Sequence, residues 1–185
     1  MNEGVSLKLL ILGGVDNAGK STTIRYSTKY LGISLGFVEK FLSQRNPSKR
    51  ILINSTPVYV YCASPQEIAG KDAAKCRKIF RKRIEGREPN ALIIMPFNLE
   101  SKYQQGIEFC LNQIDNQNLK NFTSFVFLDA DLNETRGANN EARNKIQELS
   151  QRSYLVVGEI KRTISASKDE QGKNFSVYIN KQLTS

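Results

Sequence analysis

Apolar positions follow two spacings along most of the chain. Continuous apolar runs at residues 7–12, 91–95 and 124–128 predict buried strands, because a strand inside a parallel sheet is covered on both faces. Helices are predicted over residues 21–31, 101–116, 139–150 and 175–183. Strands that alternate with helices predict an α/β fold, in which helices cover both faces of a mostly parallel sheet.

Two further strands are predicted at residues 50–54 and 57–62, joined by the tight turn Asn-Ser-Thr-Pro. A connection this short makes the two strands antiparallel. The last strand is predicted at either 153–157 or 161–165, which completes a six-stranded sheet with one antiparallel edge strand. Residues 32–49 show little periodicity, and no element is predicted there.

The composition indicates one globular domain over residues 1–185. The hydrophobic content of 39% is ordinary, and the sequence contains no run of 18 apolar residues that would predict a transmembrane helix. The first residues lack the pattern of a signal peptide. Cys62, Cys76 and Cys110 lie at unrelated spacings and favour a reducing compartment, so a cytoplasmic protein is expected. The absence of histidine excludes His-based triads and His-ligated zinc.

Basic residues outnumber acidic ones by 27 to 18, and the excess is partly concentrated between Lys71 and Arg87. A helix is predicted over residues 66–87, and its basic face could bind an acidic protein or, peripherally, an anionic membrane. An ordinary solvated face is the alternative. Phe80 is the one aromatic residue within the basic run, so base stacking is poorly supported and nucleic acid is not an expected partner.

The most specific motif lies between the first strand and the first helix. Residues 14–22 read Gly-Val-Asp-Asn-Ala-Gly-Lys-Ser-Thr and fit G-x-x-x-x-G-K-[ST] without a mismatch. Such a loop cradles phosphates with backbone N–H groups, and the helix N-terminus adds partial positive charge. Lys20 is expected to reach the β- and γ-phosphates, and the Ser21 hydroxyl is expected to bind Mg²⁺. A glycine-rich turn that carries a lysine by chance is the alternative.

The loop resembles that of the Arf and Arf-like branch of the Ras-superfamily small GTPases, where Asp-Asn-Ala-Gly-Lys-Thr-Thr is common. An antiparallel hairpin after the first helix is typical of Ras-like GTPases as well. Residues 165–167, Ser-Ala-Ser, resemble the family's base-contact loop, in which a backbone amide faces guanine O6. The resemblance implies a P-loop G domain that binds GTP or GDP with Mg²⁺. The nucleotide-binding residues that it implies are Gly14, Asp16, Asn17, Ala18, Gly19, Lys20, Ser21, Thr22, Asp131, Ser165, Ala166 and Ser167.

The second switch departs from the family pattern Asp-x-x-Gly followed by Gln. The alignment places Cys62 at the Asp position, Pro65 at the Gly position and Gln66 at the catalytic Gln position. A thiol is a poor substitute near a hard cation, and proline has no N–H for the γ-phosphate. Gln66 could still orient the attacking water, with Lys20 stabilising the transferred phosphoryl group. An ordinary polar residue of a helix N-terminus is the alternative for Gln66.

Two other family positions are matched less well. Pro47-Ser48 resembles the Pro-Thr of the first switch, so Ser48 is a candidate magnesium ligand, with Thr56 as the alternative. The base motif Asn-Lys-x-Asp is replaced by residues 128–131, Leu-Asp-Ala-Asp, in which Asp131 matches the guanine-binding carboxylate. An acidic turn that caps the next helix is the alternative for Asp131.

The sequence thus leads to three functions. A small GTP-binding protein of Arf-like type, with weak or altered GTP hydrolysis and switching, is expected first. A pseudo-GTPase, which binds nucleotide statically or not at all, is the second. A P-loop ATPase or small-molecule kinase, with Asp129 holding Mg²⁺, is the third. If the chain is a small GTP-binding protein, a protein effector or regulator would bind the switch regions and the basic helix.

Overall fold

The computed structural model describes residues 7–44, 47–130, 136–163 and 165–185, which are built around a six-stranded sheet. The strand order is β2-β3-β4-β1-β5-β6, and β2 is antiparallel to β3 while the other neighbours are parallel. The predicted mostly parallel sheet with one antiparallel edge strand is confirmed. The strands are β1 Lys8–Gly14, β2 Ser48–Ile53, β3 Thr56–Tyr61, β4 Leu92–Asn98, β5 Thr123–Asp129 and β6 Leu155–Lys161.

Helices cover both faces of the sheet, as predicted. On one face α1 packs against α7, and Gly172 allows the approach because a Cβ there would lie 2.5 Å from the Tyr26 carbonyl carbon. On the other face α4 packs against α5, and Lys145 of α6 pairs with Glu108 of α5 at 3.2 Å. The helices are α1 Lys20–Ser27, α2 Leu35–Ser43, α3 Pro65–Ala69, α4 Ala73–Ile84, α5 Gln104–Asn116, α6 Arg136–Gln151 and α7 Lys168–Thr184. No helix in these parts of the chain is long and apolar enough to cross a membrane.

The core is centred on β1 and the two strands that flank it. Every residue of β4 and β5 is buried, as expected for strands with helices on both faces. Edge-to-face ring contacts then continue the core from Phe80 through Phe97 and Phe125 to Tyr154, with centroids 5.7 to 6.2 Å apart.

Four sequence-based boundaries change. The weakly periodic segment contains α2, which buries only Val38 and Phe41 and is therefore hard to recognise. The predicted helix at 66–87 is two helices, because Gly70 turns the chain with φ 63° and Asp72 caps α4. The last strand, β6, lies across both candidate segments. The last helix begins before residue 175, because the Ser167 side chain caps it.

The chain reverses its winding direction between β1 and β5. The connection after β1 leads to β2 on one side, whereas the connection after β5 leads to β6 on the other. In open α/β sheets, ligands bind outside the carboxyl ends of the strands at such a point. The loop at residues 14–20 and the end of β5 border this crevice.

Candidate functional site

The geometry of the loop favours glycine at both fixed positions. A Cβ at Gly14 would lie 3.0 Å from the Leu128 carbonyl oxygen, so β1 and the end of β5 leave little room for a side chain there. Gly19 has φ 90°, a conformation that favours glycine, and a Cβ there would lie 2.9 Å from Arg162 Nη1. The loop can therefore turn sharply from β1 into α1.

The start of α1 offers backbone donors. Gly19 is the N-cap residue of α1, and no side chain caps this end of the helix in the described structure. The first intrahelical bond runs from the Thr23 N–H to the Gly19 carbonyl at 2.8 Å. The N–H groups of Lys20, Ser21 and Thr22 therefore have no carbonyl partner within the helix, which is the arrangement that binds anions.

Lys20 lies inside the loop and is only 3% exposed. Its Nζ donates to the Val15 carbonyl and lies 3.5 Å from Glu67 Oε1. Burial lowers the pKa of Lys20, while the nearby Glu67 carboxylate raises it. A phosphate bound at this loop would be an alternative negative partner for the buried ammonium group.

Arg162 supplies another cation from the end of β6. Its backbone N–H donates to the Asp129 carbonyl at 2.7 Å, and its Nη1 donates to the Asn17 carbonyl at 2.7 Å. The side chain thus lies beside Gly19. The sequence analysis missed Arg162 because 145 residues separate it from Asn17 and no motif marks it.

These residues enclose an open cleft of about 410 Å³. Positive charge from Lys20 and Arg162 faces negative charge from Asp16 and Glu67. The structure therefore brings most of the predicted phosphate-loop residues together and adds two that were not predicted, Glu67 and Arg162. The lining residues are Asp16, Asn17, Gly19, Lys20, Ser21, Thr22, Glu67 and Arg162.

Asp16 is anchored from the end of β4. Its backbone N–H donates to Glu100 Oε2 at 2.6 Å. Its carboxylate accepts from the Asn98 side-chain amide and lies 2.6 Å from Lys102 Nζ. These contacts hold the loop to its neighbouring strand, and sequence reasoning did not anticipate Asn98, Glu100 or Lys102.

The residues that the resemblance aligns with a second switch follow β3, where the chain contacts the loop. The Ser21 hydroxyl donates to the Cys62 carbonyl. Burial raises the pKa of the Cys62 thiol to about 12, so this group is neutral near pH 7 and a poor partner for a hard cation. Pro65 begins α3 in a position that requires no N–H.

Gln66 does not line the cleft, although it was expected to orient a water molecule there. Its side chain is 1% exposed and packs against Gly106 of α5. Its amide nitrogen and oxygen have no hydrogen-bond partner within the described structure. The neighbouring Glu67 occupies the position that faces Lys20.

Ser48, the candidate magnesium ligand, also lies outside the cleft lining. It is exposed at the start of β2, where it pairs with Tyr61. The preceding Pro47 carbonyl accepts from the Cys62 N–H at 3.1 Å. Thr56 lies at the far end of the same hairpin, opposite Ile53.

The predicted base-contact residues 165–167 make hydrogen bonds to neighbouring residues of the same segment. The Ala166 N–H donates to the Thr163 carbonyl at 3.2 Å, and Ser165 Oγ lies 3.2 Å from Thr163 Oγ1. The Ser167 side chain accepts from the Glu170 N–H and caps α7. Asp131 lies outside the described residues.

Asp129 is held by α6. One carboxylate oxygen accepts from the Asn139 amide, and the other pairs with Arg143. Burial raises the pKa of this carboxyl group, but the hydrogen bonds from its neighbours outweigh that effect and lower it. Asp129 is thus ionised and already partnered.

The basic run divides into structural and exposed residues. Arg83 is buried, donates to the Ala63 carbonyl at 2.8 Å and lies over the Tyr61 ring. Arg87 donates to the Tyr61 hydroxyl at 2.8 Å. The remaining exposed cations on and before α4 are Lys71, Lys75, Arg77, Lys78, Arg81 and Lys82.

Two comparisons with known proteins give no match for the chain. No protein-family model matches the chain, and a search of the curated proteins finds no match. Within the described residues, no group of three or more His, Cys, Asp or Glu side chains could hold a metal ion. At nucleotide sites, Mg²⁺ is usually bound by phosphate oxygens together with one or two protein ligands.

Proposed function

We propose that the protein binds the phosphates of a magnesium–nucleotide at residues 14–22, with GDP or GTP as the expected ligand. The observation that carries this proposal is the uncapped N-terminus of α1, which opens into the cleft between Lys20 and Arg162. Backbone donors and two cations suit a polyphosphate better than a neutral ligand. Ser21 would supply the hydroxyl ligand of the ion, which neutralises phosphate charge when it is bound.

The expected guanine preference comes from the resemblance to Arf-like GTPases. In the described sheet, β4 lies between β1 and the β2–β3 hairpin. The proposal therefore uses the sequence and geometry of the loop and does not use the order of the strands. We expect only slow hydrolysis of GTP to GDP and phosphate. Pro65 cannot donate an N–H to the γ-phosphate, and Gln66 packs against α5 away from the cleft.

The pseudo-GTPase is the second candidate, and the buried Gln66 favours it over an efficient enzyme. The ATPase or kinase reading is less well supported, because it requires Asp129 to hold Mg²⁺. Asn139 and Arg143 already engage both oxygens of that carboxylate. The proposal includes a protein regulator that binds α4 through exposed cations such as Lys78 and Arg81. Arg83 is buried and has a structural role instead.

The test begins with the nucleotide that accompanies the purified protein. GTP or GDP would support the proposal, and ATP or ADP would favour the ATPase reading. Calorimetry with GDP and GTP should then show binding to the wild type and roughly a 10- to 100-fold loss in Lys20→Ala, since a charge-assisted contact disappears. Lys40→Ala, at an exposed position on α2, is the matched control and should bind normally. Absence of nucleotide binding by the wild type would refute the proposal.

A further inference from the structure

Glu67 brings a carboxylate to the phosphate loop that the proposed binding mode leaves without a role. It lies on α3, lines the cleft, and places Oε1 3.5 Å from Lys20 Nζ. A phosphate that takes Lys20 as its partner would compete with this ion pair. The carboxylate is therefore either an obstacle to binding or a ligand for something that arrives with the phosphate.

The position of Glu67 is fixed by a capping box at the start of α3. The Glu67 N–H donates to Ser64 Oγ at 3.0 Å, and the Ser64 N–H donates to Glu67 Oε2 at 3.2 Å. One carboxylate oxygen thus anchors the side chain to the backbone, and the other faces Lys20. This division of roles holds Oε1 at the cleft.

Other acidic groups near the loop already have partners. Asp16 accepts from Asn98 and pairs with Lys102, and Glu100 accepts the Asp16 N–H while its other oxygen lies 3.1 Å from Lys102. By contrast, Glu67 Oε1 pairs with Lys20 within the described residues. It is therefore the carboxylate oxygen that a phosphate would release when it binds Lys20.

We propose that Glu67 binds the magnesium ion that accompanies the nucleotide, directly or through one of the ion's water molecules. Glu67 would then take the role of the aspartate in the family pattern, whose aligned position is occupied by Cys62 in this chain. Mg²⁺ at nucleotide sites takes one or two carboxylates together with phosphate oxygens. Ser21, the hydroxyl ligand of the proposed function, lines the same cleft beside the Cys62 carbonyl. In the free protein, Glu67 holds Lys20 instead. This inference rests on the proposed function and adds a residue to it.

The decisive variant is Glu67→Gln, because glutamine at the same position also completes a capping box while it removes the charge. Affinities for GDP and GTP are measured by calorimetry with excess Mg²⁺ and again with a chelator. The nucleotide affinity of the wild type should rise roughly tenfold or more when Mg²⁺ is present, and Glu67→Gln should lose most of that increase. Its affinity without metal should match or exceed that of the wild type, because Lys20 no longer has a carboxylate partner.

Glu85→Gln is the matched control, since Glu85 pairs with Arg81 on the exposed side of α4 and lies outside the cleft lining. It should keep the full Mg²⁺ dependence. As a readout independent of calorimetry, Mn²⁺ with GDP should give a protein-bound paramagnetic resonance spectrum that changes in Glu67→Gln alone.

The outcomes separate the two proposals. If Glu67→Gln binds nucleotide with an unchanged Mg²⁺ gain, the role of Glu67 is wrong and nucleotide binding stands. If its affinity falls equally with and without metal, Glu67 supports the loop only, and the inference is again wrong. If the wild type binds no nucleotide under either condition, the proposed function itself fails.

Discussion

The two ends of the crevice differ in how their polar groups are used. At the phosphate loop, the first N–H groups of α1 lack carbonyl partners within the helix, and Lys20 and Arg162 line an open cleft. In the described segments beyond these strands that the resemblance aligns with base contacts, polar groups bind one another. Asp129 is held by α6, and the Ala166 N–H donates to Thr163.

Under the proposed function, this difference predicts which part of the nucleotide contributes most to binding. Phosphate binding needs backbone geometry and positive charge, both of which the loop provides. Base recognition needs free donors and acceptors, because discrimination comes from unpaired groups that only the correct base satisfies. We therefore expect most of the binding free energy to come from the phosphates and base selectivity to be modest.

The largest effect is expected from Gly19→Ala. A side chain there has to adopt φ 90° and approach Arg162, so the cradle should distort and nucleotide affinity should fall on the order of 100-fold. Calorimetry with Mg²⁺ and GDP measures the loss. Gly36→Ala is the control, because its Cβ would meet no atom within 4 Å. Normal binding by Gly19→Ala would show that the phosphates lie elsewhere.

Arg162→Ala should weaken the binding of guanine and adenine nucleotides equally, by roughly 10-fold or more. The change removes a cation beside the phosphate loop and removes no base contact. Titrations with GDP and ADP measure both affinities. The neighbouring exposed Lys161 provides the control, as Lys161→Ala should change neither. A loss confined to GDP would place Arg162 at the base and weaken the comparison.

Asp131→Asn tests the base end. Guanine should be preferred over adenine by about tenfold, less than in relatives with the full base motif, and the variant should lose most of that preference because one charge-assisted contact disappears. Displacement of a fluorescent GDP analogue by ATP and GTP measures it. Unchanged selectivity in the variant would remove Asp131 from the site, and equal wild-type affinities for ATP and GTP would contradict the guanine preference.

The smallest effect is expected from Gln66→Met. Single-turnover GTP hydrolysis by the wild type should be no faster than about 10⁻⁴ s⁻¹, the slow intrinsic rate of small GTPases, and the variant should leave it unchanged. Stability should stay equal or rise slightly, because the change removes a buried amide without partners. Quenched-flow and thermal unfolding experiments measure the two quantities. A clear drop in the hydrolysis rate would restore Gln66 as a catalytic residue.

The sequence predicts those features whose causes are local. The phosphate loop at residues 14–21 is an eight-residue pattern in which glycines, a lysine and a helix start occur in fixed order, and β4 and β5 are continuous apolar runs. The rest of the site comes from distant segments. Arg162 and Glu100 reach the loop only because the sheet brings the ends of β6 and β4 to the same edge as the end of β1.

Side-chain direction was equally hidden from the sequence. Gln66 and Glu67 are adjacent polar residues at the start of α3, and the family pattern favoured Gln66. The capping box with Ser64 turns Glu67 toward Lys20, and Gln66 then packs against α5. A pattern of residue types alone does not predict which of the two side chains faces the cleft.

Backbone amide resonances test the central claim most directly, since the chain of 20.9 kDa is small enough for nitrogen–proton correlation spectra. Addition of GDP with Mg²⁺ should shift the amide protons of Gly19, Lys20 and Ser21 strongly downfield, because they gain charged acceptors. ADP with Mg²⁺ should shift the same amides by similar amounts, while the Ala166 amide changes little. Large changes at Ala166 with unmoved loop amides would contradict the account.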